Sequence, residues 1–203
     1  MNKKLAQIGS LIVTITVFIF AVCMIVACDF GSFLICMFLA FGFIMMTAGF
    51  VQESDSNSKT ASIIAMAFAC IYAVFVLLVY FAQTTVVNLG LLTDREAVFL
   101  DFNRSGLIFY YDLLGYGLMA LSTFFTGLTI KAEDKADKWL KILLLVHGVF
   151  FLTCFFMPIL GIFKPVEAGE MGNGGVIALI IWCIYFLPIG LLSFRHFSKS
   201  KNI

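Results

Sequence analysis

The chain has 203 residues, of which 62% are hydrophobic and only 12% charged, with a formal net charge of +1 and a mean hydropathy of +1.07. A soluble domain is roughly 45–50% apolar and about 25% charged, so lipid must solvate much of this chain. The same numbers exclude a disordered chain, a collagen-like rod, a secreted disulfide scaffold and a basic nucleic-acid-binding domain.

A membrane-crossing helix needs about 20 mostly apolar residues. Six such runs follow one another: Leu5–Ala27, Phe33–Phe50, Ser62–Phe81, Gly106–Ile130, Trp139–Leu160 and Val176–Phe194. Backbone groups in lipid must be satisfied within helices or a closed barrel, and no run shows the period-two alternation of barrel strands. The prediction is an all-α integral membrane protein, with six transmembrane helices in one bundle and residues 1–203 forming a single polytopic domain. Cys28-Asp29-Phe30-Gly31-Ser32 alone parts the first two runs. Its Asp, Gly and Ser are turn formers, which predicts a tight helical hairpin. Gln52–Lys59 reads as a short polar loop without chemistry. Thr93-Asp94-Arg95-Glu96 has capping-box spacing and predicts a short surface helix through about Phe102, with Val98 and Phe102 inward. Lys164–Gly175, with Pro165 and four glycines, reads as a flexible outer loop.

Lys and Arg set the orientation. Ten of the 13 basic residues fall at the termini and in the loops after the second and fourth spans, and three fall in the other connections. That split places both termini in the cytoplasm and the hairpin outside. Trp139 stands where an interfacial anchor would.

The six cysteines form no C-x-x-C pair and read as small packing residues, with Cys28, near the outer surface, the one to test for reactivity. Ile25-Val26-Ala27-Cys28 resembles a bacterial lipobox, but an ordinary first span is the preferred reading. Tyr111-Asp112 resembles the tyrosine-aspartate of aspartyl intramembrane proteases, yet neither the G-x-G-D nor the P-A-L of that family occurs. The sequence also lacks G-x-S-x-G and H-E-x-x-H, and its lone intramembrane histidine, His147, cannot supply paired haem ligands. No catalytic residue, cofactor or metal is expected.

Polar groups inside spans are costly and make the working set. In the fourth span Asp112, Tyr116, Met119, Thr123 and Thr126 follow spacings of four, three, four and three. They share one face within an arc of about 80°. As the wall of an outward-facing polar pocket, Asp112 would bind a cation or a proton, and Tyr116, Thr123 and Thr126 would offer hydroxyls. As packing, the threonines would bond their own helix, and Asp112 would pair with Arg104 or a Tyr near the headgroups. His147 lies at the depth of Thr123 or Ser122, a ligand or a neutral ring bonded to a hydroxyl. Gln83, Asn88, Asp29, Arg95 and Arg104 are expected around an outer vestibule with Asp112. Gln7, Ser10 and Thr14 share a face of the first span, and Pro188 is expected to kink the sixth.

Ala61, Ala65, Ala69 and Ala73, at strict four-residue spacing, form a close-packing face for another helix or a second copy of the chain. The run Tyr111–Ile130 resembles stretches of bacterial membrane proteins. The resemblance implies a bacterial or archaeal plasma membrane and carries over no family, activity or residue role. The leading functional expectation is a non-enzymatic membrane protein that binds a small molecule or lipid, or escorts a partner membrane protein. A small transporter or channel subunit using Asp112 as cation or proton site is the alternative. An intramembrane enzyme with Asp112 and His147 as acid and base comes third. The lipid bilayer is the one certain partner in each case, and nucleic acid is not one.

Overall fold

The computed structural model describes residues 2–162 and 173–199, the side chains of 173 and 174 aside. Eight α-helices follow in order: α1 (Asn2–Ile25), α2 (Asp29–Glu53), α3 (Lys59–Ala82), α4 (Asp94–Leu100), α5 (Leu107–Thr129), α6 (Lys135–His147), α7 (Phe150–Ile159) and α8 (Asn173–Ser198). A wider π-turn, Gln83–Val87, continues α3, and a 3-10 turn, Phe102–Arg104, follows α4. All regular structure among the described residues is helical, and six stretches are long and apolar enough to cross a membrane, α6 and α7 counting as one. The second, third and sixth runs are lengthened by up to about a turn at their ends, whereas α5 is one residue shorter at each end than the run expected there. The loop expected at Lys164–Gly175 falls largely outside the described residues.

The six long stretches close into a ring. α1 lies between α8 and α2, α3 between α2 and α5, and α6 between α5 and α8, while α7 packs on α5. Gln7 ties the two ends of the chain together by donating to the Phe197 carbonyl at 3.0 Å. The bundle therefore has a termini end and a hairpin end. α1 and α2 cross where neither carries a Cβ. A Cβ on Gly9 would stand 2.6 Å from the Met46 nitrogen, and one on Gly42 would stand 2.6 Å from Ile12 Cγ2. Ala65, Ala69 and Ala73 are buried and Ala61 half-buried. The helix that meets this face is α5 of the same chain, whose Ser122 hydroxyl donates to the Ala65 carbonyl at 2.8 Å.

Three local expectations are corrected. The hairpin turns at Val26–Cys28, and Asp29, Gly31 and Ser32 already belong to α2. Cys28 N–H donates to the Cys23 carbonyl at 2.9 Å and Ala27 N–H to Met24 at 3.4 Å, with Ala27 at φ 54°. This is the Schellman closure of a helix, with alanine in the left-handed position that glycine usually takes. The fifth span is two helices rather than one. Around Gly148 and Val149 the backbone tightens to three-residue hydrogen bonds, Gly148 to Leu145 and Val149 to Val146. The missing Cβ of Gly148 there lets Phe124 of α5 come close. α8 runs unbroken through Pro188.

The third correction concerns α4. Its capping box forms as expected, Glu96 Oε2 accepting from Thr93 N–H at 2.8 Å and Thr93 Oγ1 from Glu96 N–H at 3.4 Å. Phe102 turns inward onto Phe33, Tyr80 and Phe109, with ring centroids 5.5, 6.5 and 5.4 Å away. Val98 does not: its carbonyl backs onto Gly106, where a Cβ would collide with it, and its side chain is exposed.

Candidate functional site

The polar face of α5 forms as predicted, with Asp112, Met119, Thr123 and Thr126 buried and Tyr116 partly so. It divides into two sets that share no hydrogen bond. Nearer the hairpin end, Asp112 sits among Cys36 of α2, Tyr72 and Tyr80 of α3, and Tyr116. The Tyr80 hydroxyl lies beside the Asp112 carboxyl and donates to the Tyr116 hydroxyl at 3.3 Å, which reaches Cys36 Sγ at 3.5 Å. Two atoms of this cluster, Asp112 Oδ1 and the Tyr72 hydroxyl, are buried with no partner.

The neighbours expected around a vestibule find their partners in the segment after α4. Gln83 is buried and donates to the Leu100 carbonyl at 2.8 Å while accepting from Phe102 N–H at 3.0 Å. It thereby clips the end of α4 and the Phe102 ring above Tyr80. Asp29 is exposed and accepts from Asn103 Nδ2 at 3.5 Å. Arg104 faces Asp101 at 3.7 Å, not Asp112. Asp29 and Gln83 thus fasten residues 100–103 to α2 and to the end of α3.

The second set holds His147, 1% exposed. Trp182 Nε1–H donates to His147 Nε2 at 3.0 Å, and Nδ1 lies 2.7 Å from Thr123 Oγ1. An indole N–H can only donate, so Nε2 carries the lone pair, Nδ1 carries the proton, and the ring is neutral in this geometry. The Thr123 hydroxyl donates to the Ala120 carbonyl at 2.8 Å. Thr126 bonds Ser122 in its own helix at 2.8 Å. Both threonine hydroxyls are thus engaged by their own helix, and His147 meets the hydroxyl that its depth predicted. Nothing bridges His147 to Asp112 directly.

Between the two sets lies a closed circuit of rings. Phe43, Tyr72, Tyr116, Trp182 and Phe186 follow one another at centroid distances of 5.4, 5.6, 5.6 and 4.9 Å, and Phe186 returns to Phe43 at 6.5 Å. Sequence reading missed Cys36, Tyr72, Tyr80 and Trp182. The usable signal was that Tyr72 and Tyr80 continue the face of Ala65, Ala69 and Ala73, where only small residues are needed.

The termini end carries a network of ion pairs. His196, also missed, places Nε2 2.9 Å from Glu53 Oε2 and Nδ1 2.9 Å from Asp137 Oδ1. Two acceptors require two donors, so this ring is an imidazolium. Lys199 reaches Asp134 and Asp137, and Arg195 reaches Asp134 at 3.2 Å. Hydrogen bonds from Lys131 and Ser58 hold the Asp55 carboxyl down at about 2. The Asp137 backbone N–H likewise lowers Asp134, which caps α6. A groove of about 600 Å³ between α2 and the end of α3, lined by Met37, Phe41, Leu78 and Phe81 among others, is almost wholly apolar and touches neither polar set. Among the described residues no three His, Cys, Asp or Glu side chains gather as a metal site. Set against known proteins, the chain matches no family model, no curated protein and no solved structure.

Proposed function

We propose that the protein is a non-enzymatic, multi-pass membrane protein that binds a small cation at Asp112. One observation carries the reading: Asp112 Oδ1 and the Tyr72 hydroxyl are buried in one cluster and neither has a partner. A buried polar group left unmatched costs about 1–3 kcal/mol, and more if charged. A sequence that keeps two such groups together is best explained by something outside the chain that completes them. The missing group must bring positive charge to Oδ1 and sit against the oxygen of Tyr72. A small cation, bare or with a water, does both. Phe102, clipped by Gln83, is the cover through which it would enter.

The test is the melting temperature of the purified protein in detergent micelles, with lithium, sodium or potassium chloride against equal choline chloride. One alkali cation is expected to raise the wild-type midpoint. Asp112→Asn should abolish that rise and Tyr72→Phe should reduce it. Equal responses of wild type and Asp112→Asn to all three cations would overturn the proposal.

A further inference from the structure

The α1–α2 turn brings together two residues that an uninterrupted helix would hold apart. Cys23 and Cys28 are five positions apart, which on a regular helix turns their side chains about 140° from one another. The Schellman closure cancels that separation. Its six-residue hydrogen bond runs from Cys28 N–H to the Cys23 carbonyl at 2.9 Å. The motif characteristically puts the side chains at those two positions in contact, usually as a hydrophobic pair. Here both positions hold cysteines. Gly31, one turn into α2, completes the arrangement. The position its Cβ would occupy lies 2.9 Å from Cys28 Sγ and 3.0 Å from Cys23 Sγ, so both sulfurs fill the space that glycine leaves. Cys28 is exposed, Cys23 is partly buried behind it, and both are free thiols.

We propose that Cys23 and Cys28 form a thiol–disulfide exchange site at the hairpin end of the bundle, with a disulfide-bearing compound as its oxidant. Exposed Cys28, as thiolate, attacks one sulfur of a disulfide RSSR. The S–S bond breaks, a mixed disulfide forms on Cys28, and the first RS⁻ leaves. Cys23, as thiolate, then attacks the Cys28 sulfur and displaces the second RS⁻. Two protein thiols are oxidised to one disulfide, one external disulfide is reduced to two thiols, and the two protein protons end on the two leaving groups. The orientation favoured by the basic residues puts this hairpin outside, where disulfides persist. The site stands on the turn geometry alone and is independent of cation binding at Asp112.

The experiment treats the full-length protein in detergent micelles with oxidised glutathione, followed by acid quench, alkylation and fragment mass spectrometry. In the wild type, Cys23 and Cys28 should be joined within one chain, with loss of two hydrogen atoms. Alkylation of Cys28 should fall about tenfold and recover under a dithiol reductant. Cys23→Ser should instead retain the glutathione adduct on Cys28, because nothing remains to displace it. Three wild-type results would each overturn the proposal: a lasting adduct on Cys28 with Cys23 still alkylated, no reaction at Cys28, or a Cys28 link between two chains. The wild-type measurement decides the matter even if the serine variant does not fold.

Discussion

Trp182→Phe tests the neutral-ring assignment of His147. The substitution removes the N–H that stands 3.0 Å from Nε2 and leaves that nitrogen unpaired inside the bundle. The orphaned acceptor alone costs about 1–3 kcal/mol. The smaller ring also gives up part of its stack on Phe186 at 4.9 Å and its edge contact with Tyr116 at 5.6 Å. The single variant should therefore lose about 2–4 kcal/mol. His147→Phe separates the two contributions. It keeps a ring against Phe150 and Tyr185, 5.2 and 6.0 Å away, but has no nitrogen to pair. In that background Trp182→Phe loses ring contact and removes the indole N–H that His147→Phe had left stranded. A double-mutant cycle by denaturant unfolding in one detergent then reports the N–H···N bond together with the cost of stranding either partner. The expected coupling is about 1–2 kcal/mol, toward the upper end of membrane-protein values. A coupling under about 0.3 kcal/mol would refute the bond, and the tautomer assignment would go with it.

Packing at the α1–α2 crossing sets a second expectation. Gly9→Ala places a Cβ 2.6 Å from backbone and should cost about 1–3 kcal/mol despite alanine's better helix propensity, whereas Gly175→Ala in α8, with nothing within 4 Å, should be neutral or stabilising by unfolding midpoint. Ala27→Gly should stabilise by about 0.5–1 kcal/mol in the same assay, because φ 54° strains alanine but not glycine. Gln83→Leu strips partners from the Leu100 carbonyl and Phe102 N–H and should raise hydrogen exchange selectively over residues 100–104. Asp55, lowered in the fold, adds stability that is complete above the ordinary carboxylate range and is lost as pH falls through about 2. Carboxyl NMR should show that titration, and Lys131→Met should move it back up.

What was legible in the sequence follows from how local each cause is. Lipid imposes apolar length, so the six spans could be read directly. The Thr93–Glu96 box closes within four residues and formed as written. Depth arithmetic paired His147 with Thr123 because α5 and α6 are both regular between their facing ends and that level. The rest depended on neighbours distant in the chain. The hairpin pivots on Ala27, not on the glycine, because Gly31 is needed to make room for two sulfurs. Gln83 found backbone partners on the far side of α4, which no spacing announces. The break at Gly148 requires Phe124 to press on it from another helix. Tyr72 and Tyr80 were lost among the alanines of one face, although they complete the surroundings of Asp112. His196 lay beyond the last apolar run and drew no attention, yet its two carboxylate contacts give its charge state outright.

The five-ring circuit has a consequence for packing within the bundle. It draws on α2, α3, α5 and α8, and it takes Tyr72 and Tyr116 from the surroundings of Asp112 and Trp182 from those of His147. Each ring touches the two beside it, so a change in any one is felt in all four helices. The two polar sets exchange no hydrogen bond, yet they are mechanically linked through the rings they share.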